Sequence, residues 1–214
     1  MILAKEQIKK ILSELAKERT VFYSEADFQH ALAWKIHKKN SEIKVRLEKI
    51  ETIDKKNNYI DIMLELKKEK LAIELKYKTK DVGLIKHNEE EFTLKNQGAQ
   101  DCGRYDFLKD IVRLEKLNLE KRIPGYAIFL TNDSYYWNTP KSSKQHIDKE
   151  FHLYEKKILK GIMSWSKDAG IGTTKNRIDE IKLNGKYELN WNEFSKLKET
   201  DKNNLFKYTI IEIN

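Results

Sequence analysis

At 214 residues the chain can form one domain with a real core, and its 39% hydrophobic and 10% aromatic content excludes a disordered chain despite 36% charged residues and a mean hydropathy of -0.74. A net charge of +8 and a pI near 9.2 suit a polyanionic partner, although a Lys-rich background composition gives the same values. Cys102 is the only cysteine, which excludes an intrachain disulfide and a cysteine-rich metal site and fits a reducing interior. The opening MILAKEQIKK lacks the apolar run of a signal peptide, and the longest later run, Tyr126 to Leu130, is too short to cross a bilayer, so a cytoplasmic protein with no membrane partner is expected.

Ile2, Ile8, Ile11, Leu12 and Leu15 recur at helical spacing over residues 2 to 18. A second helix opens at Ser24, an N-cap with Asp27 three residues on, and buries Phe28, Leu32 and Ile36. Ile43 to Ile50 reads as a strand, then the loop DKKNN, the strand Tyr59 to Leu66, the turn KKEK and the strand Leu71 to Lys78, an order that favours an antiparallel meander. After a charged stretch from 79 to 97, the segment from Ala99 to about Leu119 carries Leu108, Ile111, Val112, Leu114 and Leu117 at helical spacing. Pro124-Gly125 punctuates it, and YAIFLT returns as a strand buried on both faces. Further on, the pattern predicts a helix around Ile147 to Met163, a hairpin turn at Asn184-Gly185 and a last strand from Phe206 to Ile213. The expected fold is α/β with a mixed sheet, in a single domain over 1-214 with a core about 20-133 and a C-terminal α/β elaboration about 140-214.

The strand LAIELKYK raises the functional question. Leu71, Ile73, Leu75 and Tyr77 share one face, so Glu74 and Lys76 point together to the other. On the preceding strand the same alternation puts Ile60, Ile62 and Leu64 on one face and Tyr59, Asp61, Met63 and Glu65 on the other. A short turn brings Asp61, Glu74 and Lys76 to one end of the sheet. Two carboxylates and a strand carbonyl suit Mg²⁺, and a neighbouring Lys can orient an attacking water and offset charge on a phosphate.

Asp61, followed after a β-turn by Glu74-Leu75-Lys76 within an apolar strand, resembles the PD-(D/E)XK nuclease superfamily, as do the stretches RYDFLKDIVRLE and FLTNDSYYW its uncharacterised members. The likeness covers roughly residues 20 to 133, and Ile60 stands where the nominal motif has proline. It implies a restriction-endonuclease-like α-β-β-β-α-β core and a Mg²⁺-dependent hydrolase, with Mn²⁺ as a substitute, cutting phosphodiester bonds as an endonuclease or exonuclease. DNA is the expected substrate, in a restriction, defence or repair role. It also implies that Asp61 and Glu74 ligate the metal, that Lys76 serves the water, and that Glu25 on the first core helix is a further catalytic or metal-binding acid. The simpler account of Glu25 is a first-turn glutamate favoured by the helix dipole. Gln100 and Tyr105 loosely resemble a pair found on the second core helix of one branch, while Lys78, Arg104, Lys109 and Arg113 are candidates for phosphate contact against the simpler reading of surface charge.

The rival class is a non-catalytic nucleic-acid-binding module or accessory subunit with the same fold, and a junction-resolving enzyme is a third reading. A homodimer is expected if both strands of a duplex are cut. Elsewhere the chemistry is thin. The five histidines lack zinc-site spacing, with His146 and His152 expected on a solvated helix; GIGT at 170 to 173 reads as a plain turn, and Trp137, Trp165 and Trp191 as core or subunit contacts.

Overall fold

In a computed structural model, residues 2-87, 89-140, 146-198 and 200-214 are described. The helices α1 (Lys5–Glu18) and α2 (Glu25–Lys39) lead, each burying the apolar stripe expected of it. The Ser24 hydroxyl caps α2 by accepting from the Asp27 N–H at 3.1 Å, while Arg19 grips the Asp27 carboxylate with two bonds of 2.8 Å, so the first turn of α2 is held from both sides.

The strands β1 (Lys44–Ile53), β2 (Lys56–Leu66) and β3 (Glu69–Lys78) form the antiparallel meander. Their loops are shorter than the sequence suggested. In DKKNN only Asp54 and Lys55 turn, both at positive φ (51° and 61°), the left-handed pair that matches strand twist in a two-residue hairpin. A small hairpin, β4 (Leu84–His87) with β5 (Glu90–Thr93), occupies the charged stretch, and Tyr23 stacks on its Phe92 with ring centroids 4.4 Å apart. Then α3 (Gln100–Lys121) crosses the sheet and β6 (Gly125–Thr131) returns parallel to β3, every residue buried as its unbroken apolar run requires. Gly125 sits where a Cβ would lie 2.8 Å from Leu114 and 3.0 Å from the Ala72 carbonyl, so helix, β3 and β6 close together only because it has none.

The tail divides. The strands β9 (Asn192–Lys196) and β10 (Leu205–Ile213) join the main sheet, whose order is β1-β2-β3-β6-β10-β9 with β3 and β6 parallel and the other neighbours antiparallel. The strands β7 (Ile158–Met163) and β8 (Ile181–Glu188) form a separate ribbon beside α3. The helix expected over 147 to 163 is therefore a correction: a single 3-10 turn at Lys149–Phe151 precedes β7. Leu159 and Met163, four apart, satisfy both the helical period and the strand period, and pairing with β8 decides between them. The hairpin turn at Asn184-Gly185 is a second correction. Both N–H groups donate to the Glu115 carboxylate on α3, as does the Tyr187 hydroxyl, and β8 continues past them through a bulge, Gly161 lying opposite Leu183 and Lys160 opposite Lys186. The plain turn expected at GIGT is a third correction: Gly170 caps a helix of four residues, α4 (Ile171–Thr174).

Two cores result. One lies between the sheet and α1 and α2, the other between the sheet and α3 with the β7–β8 ribbon. Among the described residues no helix is long and apolar enough to cross a membrane.

Candidate functional site

β3 has a covered face on each side. Leu71, Ile73, Leu75 and Tyr77 enter the first core, while Glu74 and Lys76 turn toward α3. β2 departs from simple alternation. Ile62 and Leu64 belong to the first core, but Ile60 joins Met63 in the second, which corrects the expected grouping of Ile60 with Ile62 and Leu64. The break falls at Asp61. Its neighbour on β1 is the only stretch of that strand at positive φ, Glu48 at 50°, so both strands of the hairpin change face at the same level.

Asp61 is also where β2 and β3 part. Their ladder runs from Leu66 opposite Glu69 to Ile62 opposite Ile73 and stops. Past it, two N–H groups of β3 lack a strand partner on that side, and carboxylates take them. The Leu75 N–H donates to Asp61 Oδ2 at 2.6 Å, and the Tyr77 N–H donates to Glu25 Oε2 at 2.7 Å. In extended backbone the N–H and C=O of one residue face the same edge, so the Leu75 carbonyl looks into the same gap. Glu25 reaches it from the first turn of α2, which the Ser24 cap and the Arg19–Asp27 pair hold in place.

Three residues of this cluster were not anticipated as site residues. Gln29, one turn beyond Glu25 on α2, donates to the Asp61 carbonyl at 2.7 Å and to Glu48 Oε1 at 2.6 Å, and so ties the helix to the point where the strands change face. Its four-residue spacing from Glu25 was the available signal. Asp110 of α3 lies 3.3 Å from Lys76 Nζ, and Arg113, read beforehand only as a phosphate contact, donates to Glu74 Oε1 at 2.7 Å and lies 3.2 Å from Asp110 Oδ1. Asp110 and Arg113, three apart on a helix facing a Glu and a Lys, carried the complementary charges. Lys76 also lies 3.7 Å from Glu25.

Burial dominates the electrostatics. Glu74 is 1% exposed, and desolvation followed by the charge of Asp110 drives its pKa well above the usual carboxylate range, with Arg113 opposing. Burial also raises Asp61, against the Leu75 N–H and the charge of Lys76, which favour its ionised form. Asp110 is pushed up to about 6 by burial against the pull of Lys76 and Arg113. Burial works against the charge on Lys76, yet Asp110, Glu25 and Asp61 outweigh it and hold the ammonium above the ordinary lysine range. Four carboxylates thus face two cations, and Asp110 Oδ2 makes no hydrogen bond of good geometry despite its nearness to Lys76. Acids outnumber cations here, and the carboxyls of Asp61 and Glu74 with the nearby Leu75 carbonyl form an all-oxygen donor set fitted to a hard divalent cation, whose charge would favour their ionised forms.

The other candidates are placed apart. Arg104 bonds Asp148 and donates to the Tyr135 carbonyl at 2.8 Å, an interior tie. Tyr105 is 2% exposed, donates to the Asp179 carbonyl at 2.9 Å and stacks on Trp165. Gln100 donates to Asp133 at 2.8 Å. Lys109 projects outward near Asp179, 3.8 Å away, and Lys78 follows Lys76 along the same strand face. Comparison with protein-family models, with curated proteins and with solved structures finds no match.

Proposed function

We propose that the chain is a Mg²⁺-dependent nuclease of the PD-(D/E)XK type acting on DNA. The observation that carries this reading is the convergence of Asp61, Glu74, Lys76 and Glu25, from β2, β3 and α2, on the gap where β2 leaves β3. The order α2-β1-β2-β3-α3-β6, apart from the inserted β4–β5 hairpin, agrees with the core of that superfamily, and the charge of +8 favours a polyanion.

Asp61, Glu74 and the Leu75 carbonyl would hold the metal, with Glu25 as a further ligand or a partner to a metal-bound water. When bound, such an ion supplies an activated water and stabilises the leaving oxygen of a phosphodiester. The protein's own part is electrostatic and geometric. Lys76 stays protonated, oriented by Asp110 and Glu25, and so offers a fixed positive charge to a phosphate oxygen and a donor to the incoming water. Gln29 and the capped first turn of α2 keep Asp61 and Glu25 from drifting.

A second reading has its own observation. Glu74 is already engaged by Arg113, and Lys76 by Asp110, so the cluster can also serve as an internal charge network in a nucleic-acid-binding module without chemistry. Incubation with plasmid, linear duplex, single-stranded DNA and RNA in Mg²⁺, Mn²⁺ or EDTA separates the two. The nuclease cuts at least one substrate in metal and none in EDTA; a pure binder cuts nothing and holds DNA equally in both.

A further inference from the structure

We infer that the segment after residue 145 forms a second metal site, for a Zn²⁺-like ion, on His146, Asp148 and His152. One ligand atom from each lies within 4.8 Å of the others. His152 Nε2 is 3.2 Å from Asp148 Oδ1, close to the about 3.3 Å that separates two ligands of a tetrahedral ion bound at about 2.0–2.1 Å. His146 stands beside them, its ring centroid 5.1 Å from that of His152. Its Nε2 is buried and makes no hydrogen bond among the described residues, a desolvated polar atom beside a cluster with two ligand atoms already in place. The expectation that both histidines lie on a solvated helix is corrected here: Asp148 and His152 are 3% and 5% exposed, and the chain makes a 3-10 turn between them.

The donor set decides the metal. Two borderline imidazole nitrogens beside one carboxylate suit a transition ion such as Zn²⁺ or Co²⁺, unlike the all-oxygen set near Asp61. The carboxylate is braced from behind, since Arg104 of α3 bonds Asp148 through Oδ2 and leaves Oδ1 toward His152. Three protein ligands leave a fourth position, on the side where His146 and His152 line a cleft of about 1030 Å³. The site joins the segment leading into β7 to α3, so the ion would brace the ribbon against the second core.

The test is Zn²⁺ and Co²⁺ binding to the full chain by calorimetry and by the visible absorption of Co²⁺. A tetrahedral Co²⁺ spectrum is expected, and in Asp61→Asn/Glu74→Gln, where the other divalent site is removed, one ion per chain should remain. His146→Ala should weaken binding by about 100-fold or more. It should also abolish the rise in melting temperature on adding Zn²⁺, measured against the same variant in chelator so that the lost ring packing on His152 cancels. His152→Ala, at a buried position, is expected to lose the ion as well, but His146→Ala is the deciding variant. No binding by the wild type, undiminished binding by His146→Ala, or loss of the ion in Asp61→Asn/Glu74→Gln would each overturn the assignment.

Discussion

The Arg113 guanidinium lies on the Glu74 carboxylate, 2.7 Å from Nη1 to Oε1, at a glutamate that is 1% exposed. Each depends on the other. A buried carboxylate without a counter-charge protonates or drives the fold open, and a divalent cation held by Asp61 and Glu74 would supply positive charge to the same place. Arg113→Leu should therefore destabilise the protein in EDTA by about 3 kcal/mol, the order found when one partner of a buried pair is removed, with part of that loss restored by Mg²⁺. Urea denaturation in EDTA and in Mg²⁺ gives both numbers; equal losses in the two media would separate Arg113 from the metal.

Lys76→Met should lower single-turnover cleavage by about 10²-fold or more, the usual order for a positioned acid-base group. DNA binding in Ca²⁺ should survive, because Asp61 and Glu74 are untouched. Unchanged turnover would return Lys76 to the role of a structural counter-ion for Asp110. Asp61→Asn and Glu74→Gln should abolish cleavage and keep the fold, judged by circular dichroism alongside the nuclease assay.

Gln29→Ala should weaken Mn²⁺ binding about 10-fold, read by electron paramagnetic resonance, through loss of the bond to the Asp61 carbonyl. It touches none of the metal-holding atoms. Gln29→Glu, which adds a negative charge beside Glu48, should be worse, and an affinity equal to wild type in both variants would remove the positioning role.

Asp110 sets a pH dependence whose sign follows from its direction of shift. Its pKa is raised from an ordinary 3.8 to about 6 in the fold, so the folded protein holds that proton more tightly than the unfolded chain. The stability this contributes is fully present below about pH 4 and is lost as pH rises through about 6. In EDTA the wild type should therefore lose melting temperature relative to Asp110→Asn between pH 4 and pH 7, and Mg²⁺ should reduce the loss by offsetting the new charge. A constant difference between the two proteins across that range would show that burial does not govern this carboxylate.

Local chemistry in the chain was enough for α1, α2, α3 and the meander, because each carries one unambiguous period: the apolar stripe of Ile8, Leu12 and Leu15, the Ser24 cap, and the alternation of Leu71 to Tyr77. The same alternation put Glu74 and Lys76 on one face beside Asp61. Tertiary structure alone decided what depends on partners distant in sequence. The Asn184-Gly185 turn signal gave way to a bulge because Glu115, some seventy residues earlier, accepts both N–H groups that leave the ladder there. Leu159 and Met163 fit two periods until β8 lay beside them. Asp61 reaches β3 because β1 and β2 change face together at Glu48, a left-handed backbone angle at a residue type that does not announce it. The counter-charges of Asp110 and Arg113, and the meeting of His146 with Asp148 and His152, appear only once α3 and the 3-10 turn are packed, since sequence spacing carries no information on which charged faces will share a desolvated space.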